Sequence, residues 1–341
     1  MSESYRIRTI TDLLGVIPTM VGYQPAEQAV VIGVRDTGLS VTASARLLDL
    51  TDAGAAMIAD EFTRAEATRA VVAVYTDDAA TATAALDSLT GALHGQALDV
   101  AAAYQIGADD YRDLLDPTAP ARDRREITES TAALQMLVEH GAAPASITEA
   151  LPGPAATAER DRAAAAAAAH AAQNIDNPRR FALATWRGTV AGMLDDAEVY
   201  GELAQMLTDT RVRDAVLVAT VPGLPFDLPA RMIDAADDDP EVDQAAEQAV
   251  AAIVDPARAV APDETVQDAI DTLGRVIAHT PTSANAWALW ALLTWWKGNS
   301  GLAREAATRA RSINPDHRLA GLVLAAIAAR LAPGWVRAIQ R

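Results

Sequence analysis

The 341-residue chain predicts an α/β N-terminal domain, a mixed sheet of about four strands with intervening helices, followed by an all-α region that ends in a helical hairpin. Three observations carry this. Two apolar runs of strand length, Ala29–Val34 (AVVIGV) and Ala70–Tyr75 (AVVAVY), stand among helical periods in the first third. After Asp116-Pro117 strand patterns give way to apolar residues at i, i+3, i+4, i+7. From Ala284 to His317 two such periods flank a turn at Lys297 and are closed by Pro315. The expected division is an α/β domain over residues 1–120, a helical region over 121–230 and a second helical region over 231–341.

The elements follow in order. Ala29–Val34 ends at Asp36-Thr37-Gly38, a turn sequence, and Leu39–Leu47 alternates small or polar residues with apolar ones, so the pair reads as a β-hairpin. Thr51 can cap a helix over Thr51–Ala67, and Asp77 or Asp78 one over Ala79–Leu93, because their side-chain oxygens can accept from the first free amides of a helix. Leu98–Tyr104 is a fourth, less apolar strand candidate. The polar stretch Pro117–Arg125 reads as a linker, and Ile127–His140 as a helix stopped by Gly141. Helices are expected over Ala155–Gln173, from Asn177-Pro178 to Met193, over Glu198–Leu207 and over Val212–Thr220, with a Pro-rich break at Val221–Pro229. Asp263–His279 carries Val266, Ala269, Ile270, Leu273, Val276 and Ile277 on one face and stops before Pro281. Beyond Pro315, Leu319, Leu322, Val323, Ala326 and Ile327 form one more helix that can pack as a cap.

Composition narrows the chemistry. With no cysteine, disulfides, thiolate catalysis and Cys-bound zinc are excluded. Lys297 is the sole lysine and has no Gly-rich context, so neither a phosphate loop nor a Schiff-base lysine is expected. A net charge of −18 opposes nucleic acid. The short clusters Arg122, Arg124, Arg125 and Arg179–Arg180 lie beside acids and read as solvated faces. No apolar run reaches the roughly 20 residues of a membrane helix, and MSESYRIRT lacks the apolar stretch of a signal peptide, so the expectation is cytoplasmic.

The hairpin resembles a tetratricopeptide unit, with small residues at Ala303, Ala307 and Ala310 and the closing Pro315; a generic hairpin satisfies the same pattern. A broader resemblance rests on Gly22-Tyr23-Gln24-Pro25, the strand Ala29–Val34, Arg46-Leu47-Leu48-Asp49, Thr210-Arg211-Val212-Arg213-Asp214-Ala215 and the Trp-rich C-terminal hairpin. In these the chain is similar to the actinobacterial domain-of-unknown-function family 4192. The resemblance implies fold and lineage but no activity, since that family's function is unassigned. It also implies a cysteine-bearing segment in many relatives, where Ala108–Asp113 here keeps Tyr111 and no Cys, so no metal or redox role carries over.

Candidate sites are few. Asp109, Asp110, Asp113 and Asp116 crowd carboxylates within what would be two helical turns; a hard cation could use them, but the Gly and terminal Glu of a Ca²⁺ loop are missing, and a solvated acidic face is favoured. Asp237-Asp238-Asp239 before Pro240 reads as a helix cap. His94, His140, His170, His279 and His317 are isolated in sequence, without metal-ligand spacing, and His140 and His279 suit helix C-termini. No catalytic, cofactor or metal residue is assigned. Arg46 and Asp49, at a strand end, are the ligand-binding candidates, with an ion pair that braces the sheet edge as the alternative. Trp287 and Trp290 fit the hairpin interior. Adjacent Trp295 and Trp296 are not expected to face inward together, which makes them the partner-binding candidates, with burial as the alternative. The expected function is a non-catalytic protein-interaction or scaffold protein with an unidentified protein partner; the alternative is a small-ligand binder or enzyme using the α/β domain.

Overall fold

The structure is a computed structural model that describes residues 7–35, 38–143, 145–236 and 239–339, without the side chains of 140, 241 and 339. Of the sequence expectations, Asp36 and Thr37 of the hairpin turn, Asp237 and Asp238 of the acidic cap, the opening residues 1–6 and the His140 side chain lie outside that description. The chain forms two compact units, Met1–Ala150 and Leu151–Arg341.

The first unit opens with helix α1 (Ile10–Val21). Its start is set by a reciprocal capping box, in which the Thr9 hydroxyl accepts from Asp12 N and the Asp12 carboxylate accepts from Thr9 N. Gly22, left-handed at φ 85°, ends it. Strands β1 (Gln28–Arg35) and β2 (Gly38–Arg46) form the expected hairpin. A 3-10 turn at Leu47–Asp49 leads to α2 (Asp52–Arg64), capped by Thr51 as expected. Then come β3 (Arg69–Tyr75), α3 (Ala79–Gly95) capped by Asp78, and β4 (Asp99–Ile106).

The sheet has six strands, not about four: β5 (Asp110–Asp113) and β6 (Arg122–Asp123) extend it to the order β2-β1-β3-β4-β5-β6. These two are DYRD and RD, too short and polar for any periodicity, and they exist because β4 offers them an edge (Gln105 opposite Arg112, Ile106 opposite Tyr111). The carboxylates expected on two helical turns therefore sit on a short strand and in the loops on either side of it. Only β3 and β4 run parallel, joined through α3; the other neighbours are antiparallel.

Both faces of the sheet are covered. Ala29, Val31, Ala70, Val72 and Val74 pack with Ala55, Ala59 and Phe62 of α2 and with Leu86, Leu89 and Leu93 of α3. The alternating set Val30, Ile32, Val71, Ala73 and Tyr75 is buried as well. The stretch Ile127–His140, expected as one helix, breaks into α4 (Arg125–Thr128) and α5 (Thr131–His140), because Ser130 turns to cap α5; both pack on α1, and α6 (Ile147–Ala150) closes the unit. Asp12 ties α1 to α5 by accepting from Ala132 N at 3.2 Å.

The second unit is helical among its described residues: α7 (Thr157–Ala172), α8 (Pro178–Val190), α9 (Ala197–Met206), α10 (Thr210–Thr220), α11 (Leu228–Asp234), α12 (Pro240–Val254), α13 (Glu264–His279), α14 (Ala284–Trp296), α15 (Ser300–Ile313), α16 (Arg318–Ala328) and α17 (Gly334–Ile339). The Ala-rich α7 has a packing reason. A Cβ on Gly201 of α9 would stand 2.0 Å from the Ala163 carbonyl oxygen, so only small residues let these two helices meet. Asn177 precedes α8 but makes no capping bond and adopts the left-handed conformation, φ 53°. At the centre lies α14, packed against α13, α15 and α16 and buried around its whole circumference.

Candidate functional site

The residues with unassigned chemistry gather at one end of the first unit's sheet. Because β3 and β4 are parallel, the loops that follow them, Thr76–Asp78 and Gly107–Asp109, leave from the same end. Antiparallel β1 begins there and β2 finishes there, which adds Tyr23–Gln28 and Arg46–Asp49. Four connections thus converge at the end that holds the carboxyl termini of the parallel pair β3 and β4, the side on which ligands collect in parallel sheets. The backbone register aligns Arg46, Gln28, Tyr75, Ile106, Tyr111 and Arg122 across six successive strands. Directly opposed residues share a face, so Arg46, Gln28 and Tyr75 stand side by side on the face away from α2 and α3.

Hydrogen bonds hold this end rigid. Tyr23 Oη donates to Gln28 Oε1 at 2.9 Å, and Thr76 Oγ1 to Glu27 Oε1 at 2.9 Å. Gln105 Nε2 donates to the Thr76 carbonyl at 3.0 Å, Ala108 N to Asp77 Oδ1 at 2.7 Å, and Arg124 Nη1 to the Gly107 carbonyl at 2.7 Å. A Cβ at Gly107 would lie 2.7 Å from that Asp77 oxygen, so a larger residue there would push the carboxylate off Ala108 N. Glu27 sits at φ 49°, a strained conformation for a non-glycine residue that the surrounding bonds maintain. Burial pushes the Tyr75 phenol above its ordinary range, against the pull of Arg124, so it stays a neutral donor. Tyr111, enclosed beside Tyr104, is pushed up to about 12, by burial first, with Arg122 opposing.

The residues expected from sequence fall differently. Arg46 and Asp49 do meet, Nε to Oδ2 at 2.8 Å, in an exposed ion pair at the edge of this sheet end. Trp295 and Trp296 are 2% and 0% exposed, so the expectation that they do not face inward together is overturned and the burial alternative fits: α14 is packed by α13, α15 and α16, and both rings turn inward. Trp296 Nε1 donates to the Val260 carbonyl at 3.2 Å, and Trp335 Nε1 to the Trp296 carbonyl at 2.8 Å. Three of the four aspartates serve the loop itself. Asp110 pairs with Arg112, Asp113 accepts from Leu115 N and Asp116 N, and Asp116 accepts from Thr118. Among the described residues no group of three or more His, Asp or Glu side chains has metal-binding geometry. His317 is the N-cap of α16 and contacts Asn285 Oδ1 through Nε2 at 2.9 Å, while His279 stacks on Tyr200.

In the second unit a shallow cleft of about 290 Å³ lies between the end of α7 and α8, α9 and α10, lined by His170, Asn174, Arg179, Gln205 and Asp209. Arg179 Nε donates to Asp209 Oδ2 at 2.8 Å, and Asp209 Oδ1 caps α10. Burial raises the Asp209 pKa, but the Arg179 bond and the α10 amides outweigh it and hold it below the usual carboxylate range. The charged groups here satisfy each other and brace the helix start. Nearby, buried Arg211 reaches the carbonyls of Ala235 and Ala236 after α11, which gives the Thr210–Ala215 phrase a structural job.

Sequence reasoning missed Gln28 and Tyr75. Each closes an apolar run with a polar group, a signal visible in the chain, but only the register shows that they face each other. A family model described as "Domain of unknown function (DUF4192)" matches residues 11–334. No curated protein and no solved structure matches the chain.

Proposed function

The chain belongs to the DUF4192 family over nearly its whole length, and from that premise we propose that it is a non-catalytic cytoplasmic interaction or scaffold protein that docks a protein partner through its helical unit. The carrying observation is the packing of α14 against both α15 and α16, with α16 starting at Arg318 and α14 at Ala284. That interval matches the roughly 34-residue period of tetratricopeptide units, whose work is docking. With the tryptophans inside, the partner would meet outward residues such as Leu322 on α16, which is 58% exposed. The test is affinity capture from the native host with wild type and Leu322→Asp. Enrichment of one protein that the substitution abolishes, at unchanged thermal stability, supports docking; enrichment indifferent to the substitution, or none, refutes it.

A second reading, a small-ligand-binding protein or enzyme of the α/β unit, is favoured by the convergence of four loops at one rigid sheet end. A thermal-shift screen of nucleotides and metabolites tests it. A ligand whose stabilisation is lost in Arg46→Ala supports this reading, and a screen without such a ligand refutes it. Among the described residues no helix is long and apolar enough to cross a membrane.

A further inference from the structure

We infer that Gln28 and Tyr75 form a paired donor site for the oxyanion end of a small ligand, a carboxylate or a phosphate, with the Arg46–Asp49 ion pair at its rim; this rests on the second reading above. The two residues are direct partners on adjacent antiparallel strands, and the Cβ atoms of such opposed residues stand roughly 5 Å apart, so both side chains leave the sheet at one place on one face. Both are deeply placed, 8% and 4% exposed. The Tyr75 hydroxyl donates to no described residue, although a buried phenol ordinarily finds a partner. Tyr23 donates to the Gln28 carbonyl oxygen, which leaves the amide Nε2 as the donor that Gln28 can offer.

Three arginines stand near the pair, two of them in ion pairs with Asp49 and Glu126. Arg46 and Arg122 end the same cross-strand row, and Arg124 is close enough to act on Tyr75 electrostatically. The nearby carboxylates are engaged: Glu27 by Thr76, Asp49 by Arg46, Asp77 by Ala108 N, Asp78 by the start of α3, Asp110 by Arg112 and Glu126 by Arg122 and Tyr111. Rigid strands preorganise the donors, so little ordering cost falls on binding.

The test measures the thermal midpoint of the full chain against inorganic phosphate and, separately, acetate, with sodium chloride at matched ionic strength. Wild type is expected to show a saturable rise with at least one anion, and the stronger one identifies the ligand chemistry. Tyr75→Phe keeps the ring and removes only the donor, so affinity is expected to fall about tenfold, the worth of one hydrogen bond to a charged group. Gln28→Glu, a second variant of the same shape, is expected to abolish the effect. No saturable rise beyond chloride, or an affinity in Tyr75→Phe within about threefold of wild type, overturns the inference. If a ligand from the wider screen depends on Arg46 but not on Tyr75, the sheet-end reading stands and the donor pair alone falls.

Discussion

The two units bury their apolar surface by opposite means. The first builds its core from Val and Ala on a sheet, packed on one face by Phe62 and the leucines of α3, and leaves polar side chains to the strand ends. The second brings Ala and Gly helices so close that backbone meets backbone, then places bulk where helices diverge, with Trp295 and Trp296 fully enclosed. In a chain that is only 4% aromatic, concentrating tryptophan on one helix makes that helix the keystone of its unit. A sheet spaces its strands by hydrogen bonds at about 4.8 Å whatever the side chains; helix spacing is set by the side chains themselves. Substitutions should therefore be felt differently in the two units.

The largest effect is expected at the keystone. Trp296→Ala removes a fully buried ring and leaves the Val260 carbonyl without its donor, which should cost about 3–5 kcal/mol; urea unfolding reads this as a lower midpoint, and a loss under about 1 kcal/mol would show that α14 is not central. Gly201→Ala is next. The added methyl meets backbone at Ala163, which cannot rotate away, so α7 and α9 must separate at a cost of about 2–3 kcal/mol. If a circular-dichroism melt shows no change, close approach is not what the alanines of α7 serve.

The smallest effect, in the first unit, is electrostatic. Buried Asp12 accepts from the amides of Arg8, Thr9 and Ala132, and although burial alone would raise its pKa, these bonds together lower it. A carboxylate depressed in the folded state adds stability above its unfolded pKa, about 3.9, and loses that contribution as pH falls through the lower folded value. Asp12→Asn should thus cost about 1.5–2 kcal/mol at pH 7, and the gap from wild type should narrow below about pH 4. A gap independent of pH would mean that the charge contributes nothing.

Much of the fold is legible in the chain. The apolar runs at Ala29–Val34 and Ala70–Tyr75 are β1 and β3, and Thr51 and Asp78 cap the helices they precede. The expectation that adjacent Trp295 and Trp296 do not both face inward overlooks a signal that is also present. WALWALLTWW has no polar face at all, and a helix apolar on every side is a buried one; a single apolar stripe is the wrong template for it. At the candidate site, Arg46 and Asp49 are marked by their place at a strand end, while Gln28 and Tyr75 look like the ends of apolar runs.

Periodicity, caps and breakers act within a few residues, so the sequence by itself determined where most helices and the four longer strands lie, and that no cysteine chemistry is possible. What only the tertiary structure decided is non-local. Strands β5 and β6 exist by pairing onto an edge, α14 is enclosed because three helices surround it, and Arg46, Gln28 and Tyr75 share one row through the registers of β2, β1 and β3. Register is an agreement between segments far apart in the chain, and no local pattern encodes it.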